Sequence, residues 1–362
     1  MCKRTEREIM QYWKGAIDTP VVSVCCTTYN HEAYIADAID GFLIQQTDFP
    51  FEILIRDDCS TDQTTSIVKK YAEKYPNLIK PFIENKNQFS KGVKPMPTIM
   101  KKATGEYFAL CEGDDYWTDP KKLQIQFDLM RKNPEVNLSF HLAEEVIQHG
   151  FSGVILGNAA DGNRVISDIE MFRKIGGGFC PTATMFIARN ALDPLPMYFS
   201  TAPVGDDFMQ FSGAIDGGAL FIANTMSIRR RCIPGSYTSL KIKKARRSVE
   251  SAIEVHENFT FRYVQSLENM GNIIHQKYND IIVERISERL FFLSLVYLKH
   301  DKNYNFKMMI ERSRRNKKSV SLMHTVMYHF RFTPLLAKKL YQMRDNEIIK
   351  KLYLKSNSIL SR

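Results

Sequence analysis

"FEILIRDDCSTDQTTSIVKKYAEKY", residues 51–75, changes character a third of the way along. Its first eight residues are an apolar run closing on Asp57 and Asp58, which reads as a strand that delivers two carboxylates at its end. From Ser60 onward the pattern opens on capping residues and predicts a helix over 60–75. A strand followed by an acidic turn and a helix is half of a βαβ unit, and repeating that unit builds a parallel sheet.

The same alternation extends both ways. "VVSVCCTT" (21–28) predicts a strand, followed by an amphipathic segment from His31 to about Gln45. "NLIKPFIE" (77–84) reads as a third strand although it carries Pro81, a short helix is expected over 94–103, and "GEYFALC" (105–111) is a fourth strand. "TDPKKLQIQFDLMRKNP" (118–134) then starts a helix with Pro120 near its first turn. Ligands of such sheets bind beyond the carboxyl ends of the strands. Three of those ends carry unusual chemistry: "TTYN", "DDCSTD" and "EGDDYW".

The last of these puts three carboxylates into four consecutive positions, Glu112 to Asp115. Two unit charges about 4 Å apart repel by roughly 4 kcal/mol at an effective dielectric near 20. Such a stretch is open to water, raises one of its pKa values, or holds a cation. In an extended chain Glu112 and Asp114 point to one side with Gly113 between them. Oxygen ligands favour Mg²⁺ or Mn²⁺, and a cation held by so few groups shares its coordination with substrate phosphates.

Taken in order, these segments resemble the family 2 glycosyltransferases of GT-A fold, from about Pro20 to Ser239. The matching residues are Thr28, Tyr29 and Asn30, then Asp57, Asp58, Ser60, Thr61 and Asp62, then Glu112, Gly113, Asp114 and Asp115 running into "YWTDPKKLQ". "GDDFMQF" from Gly205 matches the acidic base at a helix start, and Ser227, Arg230 and Pro234 to Ser236 match the stretch beyond it. The resemblance implies an α/β fold of the nucleotide-diphospho-sugar transferase type, with a mostly parallel central sheet. It implies that Asp57 and Asp58 contact the base and ribose beside Thr28 and Tyr29, that Glu112 and Gly113 face the ribose or donor sugar, and that Asp114 binds Mn²⁺ or Mg²⁺. Asp206 is then the general base, with its neighbour Asp207 as the alternative, and Arg230 helps hold the diphosphate. Glu112 departs from the usual Asp at the first acidic position. The Q-x-x-R-W motif of processive synthases is absent, so transfer of single sugars is expected.

Each residue also has a plainer reading. Asp57, Asp58 and Asp62 suit a polar turn and helix cap, Asp206 an N-cap, and Arg230 a solvated face. Tyr29 and Trp117 suit core aromatics, and His31 suits a helix start rather than a ligand.

The 362 residues are 44% hydrophobic and 25% charged, as in an ordinary globular protein. The net charge of +10 is unevenly placed: residues 241–362 hold 25 Lys/Arg against 11 Asp/Glu, and residues 1–240 hold 25 against 29. Three regions are therefore expected: a lead segment 1–20, a glycosyltransferase domain 21–240 and a helical basic appendage 241–362. Within the domain, 135–240 is less regular and richer in glycine, and is expected to close over the sheet. Seven scattered cysteines without a CxxC, and a beginning without an apolar signal core, point to reduced thiols and a cytoplasmic location. The apolar-basic stretch 321–344 suits a helix on the inner face of an anionic membrane, where a lipid-linked or saccharide acceptor would be met. Nucleic acid is not expected as a partner. The alternatives to a transferase making surface polysaccharide or lipopolysaccharide are an inactive nucleotide-binding or membrane adaptor and a sugar nucleotidyltransferase. The last resembles a class with a "GxGxR" loop, and none follows the first strand.

Overall fold

The computed structural model describes residues 3–147, 150–157, 159–175, 178–231, 233–234, 236–315 and 321–343. In chain order the first elements are α1 (Glu6–Met10), β1 (Val22–Thr28), α2 (Ile35–Leu43), β2 (Phe51–Asp57), α3 (Thr64–Lys74), β3 (Ile79–Ile83), α4 (Pro95–Met100), β4 (Tyr107–Glu112), β5 (Tyr116–Trp117) and α5 (Lys122–Lys132). They follow the expected alternation. β1 pairs in parallel with β2 and β4, and β2 with β3. β3 forms one edge of the sheet, which is where the Pro81 that interrupts its donors is tolerated.

The next stretch departs from the expectation of a covering segment. It supplies β6 (Leu138–Ile147), β7 (Gly150–Leu156), β8 (Arg164–Ile166), α6 (Asp168–Lys174), β9 (Phe186–Ala188), α7 (Asp206–Ala214) and β10 (Ala219–Arg230). All five strands join the same sheet, in the order β3-β2-β1-β4-β9-β6-β10-β5, with β7 on β6 and β8 on β10. The sheet is thus mixed: β9 lies antiparallel between β4 and β6, while β10 runs parallel to β6. Register shifts at Ile222–Thr225 and Thr225–Ser227 explain why β10 shows no simple alternation.

Val24, Ile39, Phe42, Ile53, Ala109 and Trp117 lie in the core beneath this sheet. Trp117 is a core aromatic, packed edge-on against Phe42 and donating from Nε1 to the Ala183 carbonyl at 2.8 Å. Gly41 makes the packing of α2 possible, because a Cβ there would lie 2.7 Å from the Trp117 carbonyl oxygen.

The chain divides into two compact units, the first containing Met1–Pro196 with Val204–Ser236 and the second containing Met197–Pro203 with Tyr237 onward. The first 20 residues fall in the first unit, where the Tyr75 hydroxyl donates to the Arg4 carbonyl. The second unit holds α8 (Tyr237–Ala245), α9 (Val249–Gly271), α10 (Asn279–Lys299), α11 (Asn303–Arg314), α12 (Leu322–His329) and α13 (Pro334–Met343). Its own core gathers Leu293, Leu298, Phe306, Ile310, Met327 and Ala337. No described helix is long and apolar enough to cross a membrane. The described cysteines, Cys25, Cys26, Cys59, Cys111 and Cys180, are free thiols; Cys2 and Cys232 lie outside the described residues, as do Gly235 and the end of the basic stretch from 344.

Candidate active site

The turns after β1 and β2 are laced together. Asn30 and Cys59 each take a left-handed conformation, with φ of 54° and 66°. Asn30 Oδ1 accepts from the Thr61 backbone at 2.8 Å, and the Asn30 backbone donates to Ser60 Oγ at 2.9 Å. Asp62 accepts from the Glu32 backbone at 3.1 Å, and Glu32 accepts from the Gln63 backbone at 2.9 Å. The "TYN" and "DDCSTD" segments therefore act as one rigid rim.

Asp57 and Asp58 sit deep in that rim, 0% and 2% exposed. Asp57 Oδ1 accepts from the backbone of Ser60, both its oxygens accept from hydroxyls of Ser60 and Thr65, and its chief visible work is to fold the turn. Asp58 pairs with Arg56 at 2.8 Å and accepts from the backbone N–H groups of Gln88 and Phe89 at 3.1 and 2.9 Å. A carboxylate has about four acceptor directions, so Asp58 keeps one open. Thr28 is 4% exposed and Tyr29 is 36% exposed, which leaves the Tyr29 ring at the surface of the rim rather than in the core.

The β4 end brings Glu112 to Asp115 alongside this rim. A Cβ on Gly113 would lie 2.7 Å from Thr28 Oγ1 and 2.9 Å from Ile35 Cδ1, so only glycine lets the acidic turn approach β1 this closely. Burial pushes the Glu112 carboxyl up to about 8, with the charges of Asp114 and Asp206 adding to the shift and a hydrogen bond from Thr182 opposing it. Burial likewise pushes Asp206 up to about 6, with Asp207 adding to it. Asp206 opens α7, where the helix dipole by itself favours a carboxylate. Burial and the adjacent Asp207 outweigh that. The charge of Asp206 on α7 thus reaches Glu112 on β4 although 94 positions separate them in the sequence. Asp207 is 6% exposed.

Asp115, also 6% exposed, turns inward: burial and its acidic neighbours raise its pKa well above the usual range, and Oδ1 accepts from the Arg230 backbone at 2.8 Å. Arg230 is committed to the protein. Its Nη1 donates to the Asp114 carbonyl at 2.9 Å, its Nη2 pairs with Asp37, and its guanidinium lies over the Tyr34 and Tyr116 rings. Arg229, passed over in the sequence, faces the other side of β10 and lowers the pKa values of Glu112, Asp115 and Asp206 together. Its only sequence signal was a place in a run of three arginines, Arg229 to Arg231.

The acidic turn fits a divalent cation shared with a phosphate. Asp114 is 17% exposed in its side chain, and Thr28 Oγ1 beside Gly113 is buried without a partner. No group of three or more His, Cys, Asp or Glu side chains converges to hold a metal among the described residues.

Residues 23–187 match the model for glycosyl transferase family 2. An uncharacterized protein of Mycobacterium bovis is 33% identical over 220 residues, which cover 60% of this chain and 61% of that one. The match therefore spans less than two thirds of that relative. The crystal structure of Staphylococcus aureus TarS in complex with UDP superposes with a TM-score of 0.59, at 18% identity, over 91% of each chain. The mannosyltransferase PcManGT of Pyrobaculum calidifontis, in complex with GDP-Man and Mn²⁺, superposes with a TM-score of 0.51, at 13% identity, over 94% of each chain. These two share the fold.

Proposed function

We propose, from the match of residues 23–187 to the family 2 glycosyltransferase model, that the protein transfers one sugar from a nucleoside-diphosphate donor to an acceptor hydroxyl, inverting the anomeric centre. The observation that carries this reading is that Asp206, at the start of α7, lies near enough to the acidic turn of β4 for its charge to act on Glu112. Asp206, with a carboxyl poised near 6, removes the proton from the acceptor hydroxyl as it attacks the anomeric carbon. Asp207 is the more buried of the pair and acts on its neighbour.

Asp58, with one acceptor direction open, meets the base or ribose beside Thr28 and the exposed Tyr29 ring, while Asp57 keeps the turn in shape. Glu112 and Gly113 face the ribose or donor sugar. Asp114 would hold Mn²⁺ or Mg²⁺, and when bound that cation would supply Lewis-acid stabilisation of charge on a nucleoside diphosphate leaving group. Arg230 supports the diphosphate region by fixing the Asp114 backbone, and the charge of Arg229 acts on Glu112 and Asp206. A UDP donor is favoured, in keeping with the UDP bound to TarS. The acceptor is a saccharide or a lipid-linked saccharide in surface polysaccharide or lipopolysaccharide assembly, met at the inner face of the membrane through the basic second unit.

Thermal unfolding against UDP, GDP, CMP and ADP, each with and without Mn²⁺, tests the reading. Saturation at about 100 times the Kd adds roughly 2.7 kcal/mol, a shift of a few degrees for a chain of this size. One diphosphate whose effect needs the metal supports the transferase and names the carrier. No response to any of them sinks it in favour of the adaptor. Release of pyrophosphate from a nucleoside triphosphate and a sugar phosphate would indicate the nucleotidyltransferase instead.

A further inference from the structure

His31 follows the left-handed Asn30, and its backbone donates to Thr64 Oγ1 at 2.8 Å, which fixes the residue across the rim. Its side chain then reaches the acidic turn. His31 Nε2 lies 3.9 Å from Asp114 Oδ2, with the two side chains 15% and 17% exposed. Nδ1 is buried and has no hydrogen-bond partner among the described residues. The edge of the Tyr34 ring, 6.5 Å away between centroids, walls the imidazole on one side.

At 3.9 Å the nitrogen and the carboxylate oxygen are too far apart for a hydrogen bond. They stand at the outer limit of an ion pair, and the buried Nδ1 lacks a hydrogen bond of its own. The distance does suit two donors of one cation. Two bonds of roughly 2.1 Å each place their donors at most about 4.2 Å apart. The carboxylate and the imidazole come from the turns that follow the adjacent parallel strands β4 and β1, and the hydrogen bond of His31 to Thr64 helps to fix the second turn.

We propose that His31 is a second protein ligand, with Asp114, of the divalent cation in the donor site. The proposal rests on the glycosyltransferase reading and deepens it. It also sets metal preference. A site of oxygens alone suits Mg²⁺, whereas an imidazole favours first-row transition ions, so Mn²⁺ or a later ion binds more tightly here than Mg²⁺. The donor's phosphate oxygens and water complete the coordination sphere.

The test is Mn²⁺ binding to the full chain in the presence of UDP or GDP, followed by electron paramagnetic resonance with electron spin-echo detection. Wild type is expected to bind one Mn²⁺ with both ¹⁴N modulation from the imidazole and ³¹P coupling from the diphosphate. His31→Asn keeps the ³¹P coupling, loses the ¹⁴N modulation, and binds Mn²⁺ about tenfold more weakly, about 1.4 kcal/mol. Its Mg²⁺ affinity changes less. Bound Mn²⁺ in wild type with ³¹P coupling but without ¹⁴N modulation overturns the proposal and leaves the transferase reading intact. So does modulation undiminished in His31→Asn. Wild type that binds no Mn²⁺ with either nucleotide overturns both. The wild-type spectrum decides the matter even if the variant folds poorly.

Discussion

Arg230 holds the main chain of Asp114: its Nη1 donates to the Asp114 carbonyl at 2.9 Å while its own backbone N–H donates to Asp115 Oδ1 at 2.8 Å. The end of β10 therefore fastens the acidic turn of β4 from two directions. This assigns a charged side chain to scaffolding within a site where charge also does chemistry. Arg230→Ala should lower stability by about 2 kcal/mol, since hydrogen bonds to charged groups contribute roughly 1.5–3 kcal/mol. It should also weaken metal-dependent nucleotide binding. Thermal unfolding of the nucleotide-free protein separates the two roles. An arginine serving only as a phosphate clamp would leave that melting temperature where it is.

Asp206 and Asp207 are adjacent, yet their surroundings differ enough to part them. Asp206 opens α7 and its charge acts on Glu112, whereas Asp207 is 6% exposed. Asp206→Asn should leave donor binding within a few-fold and reduce transfer by about 10²–10⁴, the usual worth of a positioned general base. Binding is read by nucleotide titration and transfer by release of the nucleoside diphosphate. Loss of transfer in Asp207→Asn with Asp206→Asn active would reverse the assignment.

The pH dependence follows from the same pair. Burial and Asp207 raise Asp206 to about 6, so a base there is protonated and idle below that pH. kcat/KM should rise with unit slope up to about pH 6 and then level. Removing the charge of Asp207 relieves part of the cause, and Asp207→Asn should move this acid limb to lower pH while keeping its height. A limb that stays in place would remove Asp206 from the titration.

The first half of the fold was legible because its chemistry is local. Each strand from β1 to β4 is a short apolar run closing on polar residues, and the helices between them carry their own period. The second half was not. β9 has three residues and β8 three, and β10 carries two register shifts, so none shows the regular pattern that marks a strand. The same division holds at the site. Asp114 and Asp206 announce themselves by crowding charge at a strand end or helix start. Arg229 and His31 do not, because their meaning lies in what faces them: Glu112 and Asp206 for the one, Asp114 for the other. No His lies beside the acidic motif along the chain, but the turn after β1 brings His31 to 3.9 Å from Asp114. Arg230 shows the converse. Its guanidinium, which the resemblance offers to a diphosphate, also pairs with Asp37 and donates to the Asp114 carbonyl, contacts that no stretch of sequence foretells.

Glu112 offers a test of how far function strains the fold. Its carboxyl lies at about 8 against an ordinary 4.5, with burial as the main cause and Asp114 and Asp206 adding to it. A carboxyl raised on folding favours the folded state only while protonated in both states. Its contribution is fully retained below 4.5 and is lost progressively as pH rises to about 8. Glu112→Gln keeps the shape and removes the charge. The variant should therefore melt like wild type near pH 4 and above it by an amount that grows through pH 5–8. Glu112 is only half-buried, so solvent screening holds the gain to the order of 1–2 kcal/mol rather than the full 1.4 kcal/mol per pH unit. Mn²⁺ with UDP should then close the gap, because a cation at Asp114 offsets the repulsion that wild type suffers and the glutamine variant does not. A melting difference that is constant with pH and indifferent to Mn²⁺ would mean that Glu112 ionises as freely as a surface carboxylate, and that the acidic turn stores no such strain.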